Sequence, residues 1–304
     1  VRWALALALL SAAQASAQDY RRTQVPDKAI CLSWNTRAFT YNADAAGNSF
    51  IPGDAEFAAI DASFQTWQAV SDSCSDFKIT RGPRLTNVVV GNATGSAANN
   101  VVTFRQVSCR DAVLGSDACL ADGTCANKYK CWDHGDTTLG LTTTTFSYKT
   151  GTIFDADIEL NASPHFDGTA FVFTTVPSPA CEPGYEAVTC SAIDVQNTVT
   201  HEVGHVFGLD HVDIAGSTME PSAPLGETRK RIIDPGTAQG FCDTYPKGGP
   251  PMPCDEVGLL RRKIIAKSAG TPGLQELGCA VGGLGPLFAA VLLATAALFR
   301  RRRA

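Results

Sequence analysis

The sequence predicts a mixed α/β domain of the α+β class. Three observations carry that expectation. Short alternating or β-branched segments are scattered between residues 29 and 160, two stretches at 54–70 and 194–207 have helical periodicity, and irregular chain follows the second of them. Residues 18–246 hold all of these elements and are long enough to bury a large core as one domain.

In chain order, AICLSWN (29–35) alternates like a strand. DAEFAAIDASFQTWQAV (54–70) spaces Phe57, Ile60, Phe64 and Trp67 by three and four residues, which predicts an amphipathic helix with Asp54 available as its cap. FKITR (77–81), NVVVGN (87–92), VVTFRQV (101–107) and LGLTTTTFSY (139–148) read as strands. TIFDADIEL (152–160) is a strand whose alternation sets Asp155, Asp157 and Glu159 on one face and Phe154, Ala156, Ile158 and Leu160 on the other. Three carboxylates in a row are hard oxygen ligands suited to calcium, with a solvated acidic face as the alternative. Residues 194–207 form the second helix.

The flanks point to export. Residues 1–17 carry one charge at Arg2, an apolar run and Ala15-Ser16-Ala17, the pattern of a secretory signal peptide cut before Gln18. Residues 247–278 are rich in Gly and Pro and read as a linker. Residues 280–299 are uncharged and mostly apolar, long enough as a helix to span about 30 Å, and Arg300–Arg303 follow at once. A membrane anchor with cytoplasmic arginines is one reading of residues 279–304. The chain has 11 cysteines. Setting Cys279 aside leaves an even number in the exported part, which suggests up to five disulfides. Cys181 and Cys190 close a short loop, and Cys109, Cys119, Cys125 and Cys131 are expected to pair among themselves. The net charge is −5, with the acid concentrated in 18–246, which argues against nucleic acid as a partner.

Chemistry is concentrated in HEVGHVFGLDH (201–211), which holds three of the five histidines. On a helix His201 and His205 are one turn apart on the same face, so both imidazoles reach one ion while Glu202 lies beside it. H-E-x-x-H is the arrangement in which two histidines bind zinc and the glutamate acts as general base. A straight helix would carry His211 about 15 Å along the axis from His201. Gly208 can adopt a positive φ, end the helix and turn the chain back, so that His211 completes a three-histidine zinc set with one position left for water. Met219, one of two methionines, sits in the turn-like STMEP and is placed to form an apolar floor under the imidazoles.

HEVGHVFGLDH followed by STMEP resembles the metzincin metallopeptidases, and most of all their matrixin branch. WNTRAFTYNAD is similar to that branch's first strand, AAIDASFQTWQAVSD to its first helix with an embedded Trp, IFDADIELN to its calcium-associated strand, and GFCDTYP to the end of its terminal helix. The resemblance implies a twisted, mostly parallel sheet, an active-site helix and a methionine turn. It also implies an endopeptidase acting on internal bonds of extracellular proteins, with His201, His205 and His211 as zinc ligands and Glu202 as base. The strand near Leu139–Thr145 would edge the cleft, and an extended substrate would add to it as a further strand. The chain departs from the family's second, structural zinc. His134-Gly135-Asp136 is similar to the start of that site, but Thr142 and Ile153 stand where two further histidines would be, so His134, like His165, reads as a loop histidine.

Cys279 before a small-residue stretch, one apolar span and an arginine cluster is similar to the C-terminal sorting signal of myxobacterial surface proteins. That implies a sorting peptidase as a partner and retention at the cell surface. The expected partners are otherwise a protein or peptide substrate and, through the C-terminal segment, a membrane, with the chain acting as a monomer. The alternatives are a non-catalytic surface adhesin or binding module on the same scaffold, and a hydrolase for a non-protein substrate. Metal content and peptide cleavage separate them.

Overall fold

The computed structural model describes residues 20–91, 99–175, 191–252, 254 and 274–281. The expected signal peptide, the expected Cys181–Cys190 pair and the apolar tail beyond residue 281 lie outside these residues. Among the described residues no helix is long and apolar enough to cross a membrane.

The elements run β1 (Arg21–Arg22), β2 (Ser33–Trp34), β3 (Ala38–Asp44), α1 (Ala55–Cys74), β4 (Lys78–Leu85), β5 (Val101–Arg105), short helices α2 (Cys109–Ala112), α3 (Cys119–Asp122) and α4 (Cys125–Tyr129), β6 (Thr138–Phe146), β7 (Thr152–Asn161), β8 (Phe171–Thr174), β9 (Ser191–Asp194), α5 (Val195–Val206), β10 (Leu209–Asp210), β11 (Ser222–Ala223), α6 (Pro235–Thr244) and β12 (Leu274–Val281). The main sheet is ordered β11-β12-β6-β7-β5-β3-β4, with β2 also on β7. Its pairs are parallel except β12–β6 and β6–β7. The mixed, mostly parallel architecture read from the sequence is the one observed.

Alternation builds the core. Phe39 and Tyr41 of β3 point inward between exposed neighbours, and the Tyr41 ring stacks on Phe64 of α1 at 3.8 Å between centroids. The apolar stripe of α1 buries Phe57, Ile60, Phe64 and Trp67. That helix runs to Cys74, beyond the expected residue 70, where a disulfide to Cys242 ties it to α6. Phe77, Phe207, Phe241 and Tyr245 complete an aromatic cluster joining α1, α5 and α6. Cys109–Cys131 and Cys119–Cys125 knot the three short helices, so these four cysteines do pair among themselves.

Three segments differ from the sequence reading. NVVVGN makes no strand: Asn87 and Gly91 take positive φ, and Val90 offers its N–H and C=O to the side-chain amide of Asn127 at 2.8 and 2.9 Å. AICLSWN contributes only Ser33–Trp34 to the sheet, because Cys31 bridges back to Gln24 and bonds covalently to Cys254. Residues 274–281, which straddle the expected boundary between linker and tail, form β12 on the outer edge of β6.

Candidate metal centre

The α5 helix is buried on every side, which fixes what it carries. Asp194 caps it by accepting from Asn197 N at 2.7 Å, and Arg231 pairs with the same carboxylate, with its Nε at 2.9 Å. The indoles of Trp67 and Trp34 donate to the carbonyls of Thr200 and Val206, both at 2.9 Å. Val199, Val203 and Phe207 point into the core, so His201 and His205 share the opposite side.

Gly208 ends the helix with φ +83°. A β-carbon there would stand 2.5 Å from the Leu32 carbonyl oxygen, so glycine is demanded by both its dihedral and its space. The chain turns back into β10, which pairs with β1, and delivers His211. His211 Nε2 lies 3.1 Å from the Nε2 atoms of both His201 and His205. Among the described residues these three form the one group of three or more side chains placed to hold a metal ion.

The donor set fits zinc. His201 Nδ1 is 2.6 Å from the Thr218 carbonyl and His205 Nδ1 is 2.8 Å from the Leu209 carbonyl. A carbonyl only accepts, so each Nδ1 carries the proton and each Nε2 turns a lone pair inward. Imidazole nitrogens about 2.0–2.1 Å from a tetrahedral zinc stand roughly 3.3 Å apart, close to the spacing observed. Burial pushes the imidazoles of His201 and His205 well below their ordinary value, and brings His211 down to about 4. All three are therefore held neutral and ready to ligate near pH 7.

Met219 is buried beneath α5 in the space left by Gly204, where a β-carbon would come within 2.3 Å of its sulfur. Its carbonyl accepts from Val212 N at 3.0 Å, and the preceding Thr218 carbonyl holds His201, so this turn links two of the histidine segments. Asp234, the cap of α6, anchors the turn through Thr218 N at 2.6 Å.

Glu202 is fully buried and faces β6. Thr142 Oγ1 lies 2.8 Å from its Oε2 and 3.1 Å from its backbone oxygen. Gly140 leaves room for the other carboxylate oxygen, since a β-carbon there would sit 3.0 Å from Oε1. The Glu202 carboxylate thus stands between the helix that carries the histidines and β6. Gly140 escaped the sequence reading, and Thr142 entered it only as a position lacking a histidine. Lys230 was missed as well: it is buried, and its ammonium donates to the carbonyls of Glu220 and Ser222 at 2.6 and 2.9 Å, fixing the segment that enters β11.

The three carboxylates of β7 are buried, contrary to a solvated acidic face. They do not act as one group. Glu159 binds Arg105 Nε at 2.5 Å and lies 3.8 Å from His134 Nε2. Burial alone would raise its carboxyl, yet His134 and Arg105 hold it below the ordinary value. Asp157 accepts from Gly91 N and Val101 N at 2.7 Å, and Asp155 accepts from Asn99 N at 3.0 Å. Burial and then repulsion from Asp155 push Asp157 well above the usual carboxylate range. His165 sits apart, its Nδ1 3.1 Å from Thr169 Oγ1.

Three neutral imidazoles, a buried carboxylate and a bordering strand can bind a Lewis-acid metal and move a proton beside a peptide laid along that strand. The matrixin model of the M10 peptidases matches residues 33–245, a span that runs from β2 through α6 and includes the three histidines, Glu202, Thr142, Gly140 and Met219. A search of curated proteins finds no match for the chain.

Proposed function

The chain belongs to the matrixin family and carries a zinc peptidase domain with a three-histidine metal site; on that premise we propose that it is an endopeptidase hydrolysing internal bonds of extracellular proteins. His201, His205 and His211 would hold the zinc, and Glu202 would serve as general base. The observation that carries this reading is the convergence of three inward-facing Nε2 atoms next to a carboxylate pinned by Thr142.

Zinc bound there supplies polarisation of the scissile carbonyl and acidification of water. The chain's own groups do the rest. The edge of β6 orients the peptide, Glu202 takes a proton from the attacking water, and the same carboxyl passes it to the leaving amine nitrogen. Gly140 and Thr142 set the position from which that transfer is made. A binding module without chemistry would have no use for a carboxylate buried beside three converging imidazoles, since burying a charge is costly.

Three further parts belong to the same proposal. The protein is exported to the cell surface, a reading supported by four disulfides among the described residues, which persist in oxidising compartments. Residues 279–304 act as a sorting signal or membrane anchor, on their sequence pattern. Calcium binds at Asp155 and Asp157, where two buried carboxylates repel each other, while Glu159 is already neutralised by Arg105.

The test measures zinc per chain and cleavage of a mixed peptide library, for the parent and for Glu202→Gln. The chain must include Cys254, because it pairs with Cys31. One zinc in each with cleavage only in the parent supports the proposal. Equal cleavage by both would remove Glu202 from the mechanism.

A further inference from the structure

The outer edge of β6 is already filled. β12 lies along it antiparallel, with Leu277 opposite Thr142, Gly278 opposite Leu141 and Cys279 opposite Gly140. The other side of β12 is held by β11 in parallel, Ser222 opposite Ala280 and Ala223 opposite Val281. The β12 backbone also comes within 8 Å of α5. Main chain grips this segment on both sides, above the helix that carries the metal ligands, as an extended peptide is held when it adds to a sheet edge.

The register places particular bonds at the base. Thr142 and Gly140 are the residues that cradle the Glu202 carboxylate. Their partners in β12 are Leu277 and Cys279, so the register sets the two peptide bonds of Gly278 between the strand positions that cradle it. Regular pairing breaks immediately afterwards, between Cys279 and Ala280. The tether is long enough. Residues 255–273 join Cys254, which is fixed to Cys31, to Leu274, and a chain of that length reaches up to about 65 Å. Tethering within one chain keeps the segment at an effective concentration on the order of millimolar.

We propose that Leu274–Val281 is the domain's own substrate in cis: the enzyme cuts its C-terminal segment at one of the two bonds of Gly278, and the segment closes the cleft to other peptides until it does. The inference rests on the peptidase reading above and names the first substrate of that site. One amide C–N bond breaks and water's oxygen bonds to the carbonyl carbon. Glu202 carries the water's proton to the departing nitrogen. The products are a domain ending in a carboxylate at Leu277 or Gly278 and a tail beginning with a free amine.

The experiment uses the full zinc-loaded chain in three forms: parent, Glu202→Gln, and a chain whose residues 274–281 are replaced by Gly/Ser of equal length. A fourth form combines the last two changes. Intact mass is followed over time at several protein concentrations. Hydrogen exchange is read at the β6 amides that point away from β7. The parent is expected to shorten to residue 277 or 278 at a rate independent of concentration, while Glu202→Gln stays whole. In Glu202→Gln those amides should exchange roughly tenfold or more slowly than in the fourth form, because β12 covers them.

An uncut parent beside a Gly/Ser-replaced chain that digests the peptide library would overturn self-cleavage and leave the peptidase reading standing. Shortening that speeds up with concentration would assign the cut to a second molecule. Equal exchange in the two Glu202→Gln forms would remove β12 from the cleft. If the replaced chain binds zinc but digests nothing, the peptidase reading itself fails.

Discussion

Gly140→Ala isolates the position of the base from its chemistry. The substitution adds one methyl group to β6 and leaves every histidine and Glu202 in place. No positive φ is involved, so the backbone accepts alanine. The new β-carbon would meet Glu202 Oε1 at 3.0 Å and its Cγ and Cδ at 3.3 Å. Ordinary carbon–oxygen contact lies near 3.4 Å or beyond, so the carboxylate must retreat by about 0.3–0.5 Å. It is held on its other side by Thr142, so it cannot swing away freely. A displacement of about 1 Å in a catalytic group costs on the order of a hundredfold in rate, so half of that predicts roughly a tenfold fall in kcat. The strain on a packed site adds a loss of about 1 kcal/mol in stability. The assay is steady-state cleavage of a library-derived peptide by the chain with Gly/Ser at 274–281, so that access to the cleft is equal in both forms. Zinc per chain is measured in the same samples. A kcat unchanged within twofold at full zinc content would refute the placement of Glu202 against β6. A parallel loss of zinc would show that the methyl group acts on the metal site instead of the base.

Glu202→Gln should keep its zinc and lower kcat by about 10²–10⁴-fold, as removal of a general base does, checked by metal analysis alongside turnover. Replacing Cys74 and Cys242 with serine opens a loop of 168 residues and should lower stability by at most about 5 kcal/mol in chemical denaturation, with zinc binding weakened as α6 loosens from α1. With zinc bound and calcium withheld, stability should fall as pH rises above the usual carboxylate range. The reason is that Asp157, raised in the folded state, keeps its proton there while the unfolded chain gives it up, so its contribution is present at low pH and lost as the pH climbs through the folded value. Calcium or Asp157→Asn should flatten that slope in thermal melts taken upward from the usual carboxylate range, and a slope unaffected by either would count against a calcium site. Metal-free protein should also lose stability as the pH falls from about 6.5 toward 4, because the unfolded chain protonates His211 first; zinc-loaded protein should hold through most of that range.

What was legible in the sequence is what neighbours along the chain decide. α1 follows from Phe57, Ile60, Phe64 and Trp67, and β7 from strict alternation, because helical and strand periods are local properties. Gly208 is legible for the same reason: a turn that demands positive φ must have a glycine, and its distance from two histidines on either side is a matter of counting. Contacts between distant segments were not legible. Nothing near Thr142 says that its hydroxyl meets Glu202, nor anything near Lys230 that its ammonium ends on carbonyls eight and ten residues back in a half-buried bend. NVVVGN has the composition of a strand, yet a side-chain amide from Asn127 takes the place of a partner strand. Whether the acidic face of β7 is solvated or closed over could not be read, because alternation fixes which residues share a face but not what covers it. Here Arg105 and the amides flanking residues 92–98 cover it.

The residues in β12 were hardest to read, and the reason bears on the function. LQELGCAV has weak alternation, a central glycine and a Gly/Pro-rich approach, so it has little strand preference of its own. It becomes a strand because β6 supplies a row of unpaired backbone groups that must find partners. Most proteins blunt such an edge with charge or proline. A peptidase that reads its substrate by strand addition cannot, because the open edge is what holds the peptide. β6 is accordingly plain, TLGLTTTTF, with no charge and no proline along its length. Such an edge in a chain at high local concentration would invite association with its own copies, unless something covers it. A segment of the same chain does so with two properties a foreign cover lacks: it is always present at synthesis, and its Gly278 sits in register between Gly140 and Thr142, the β6 residues that contact Glu202. Protection of the edge and its later exposure would then both follow from one register, and moving β12 by two residues along β6 should preserve the cover while shifting the cut away from Gly278.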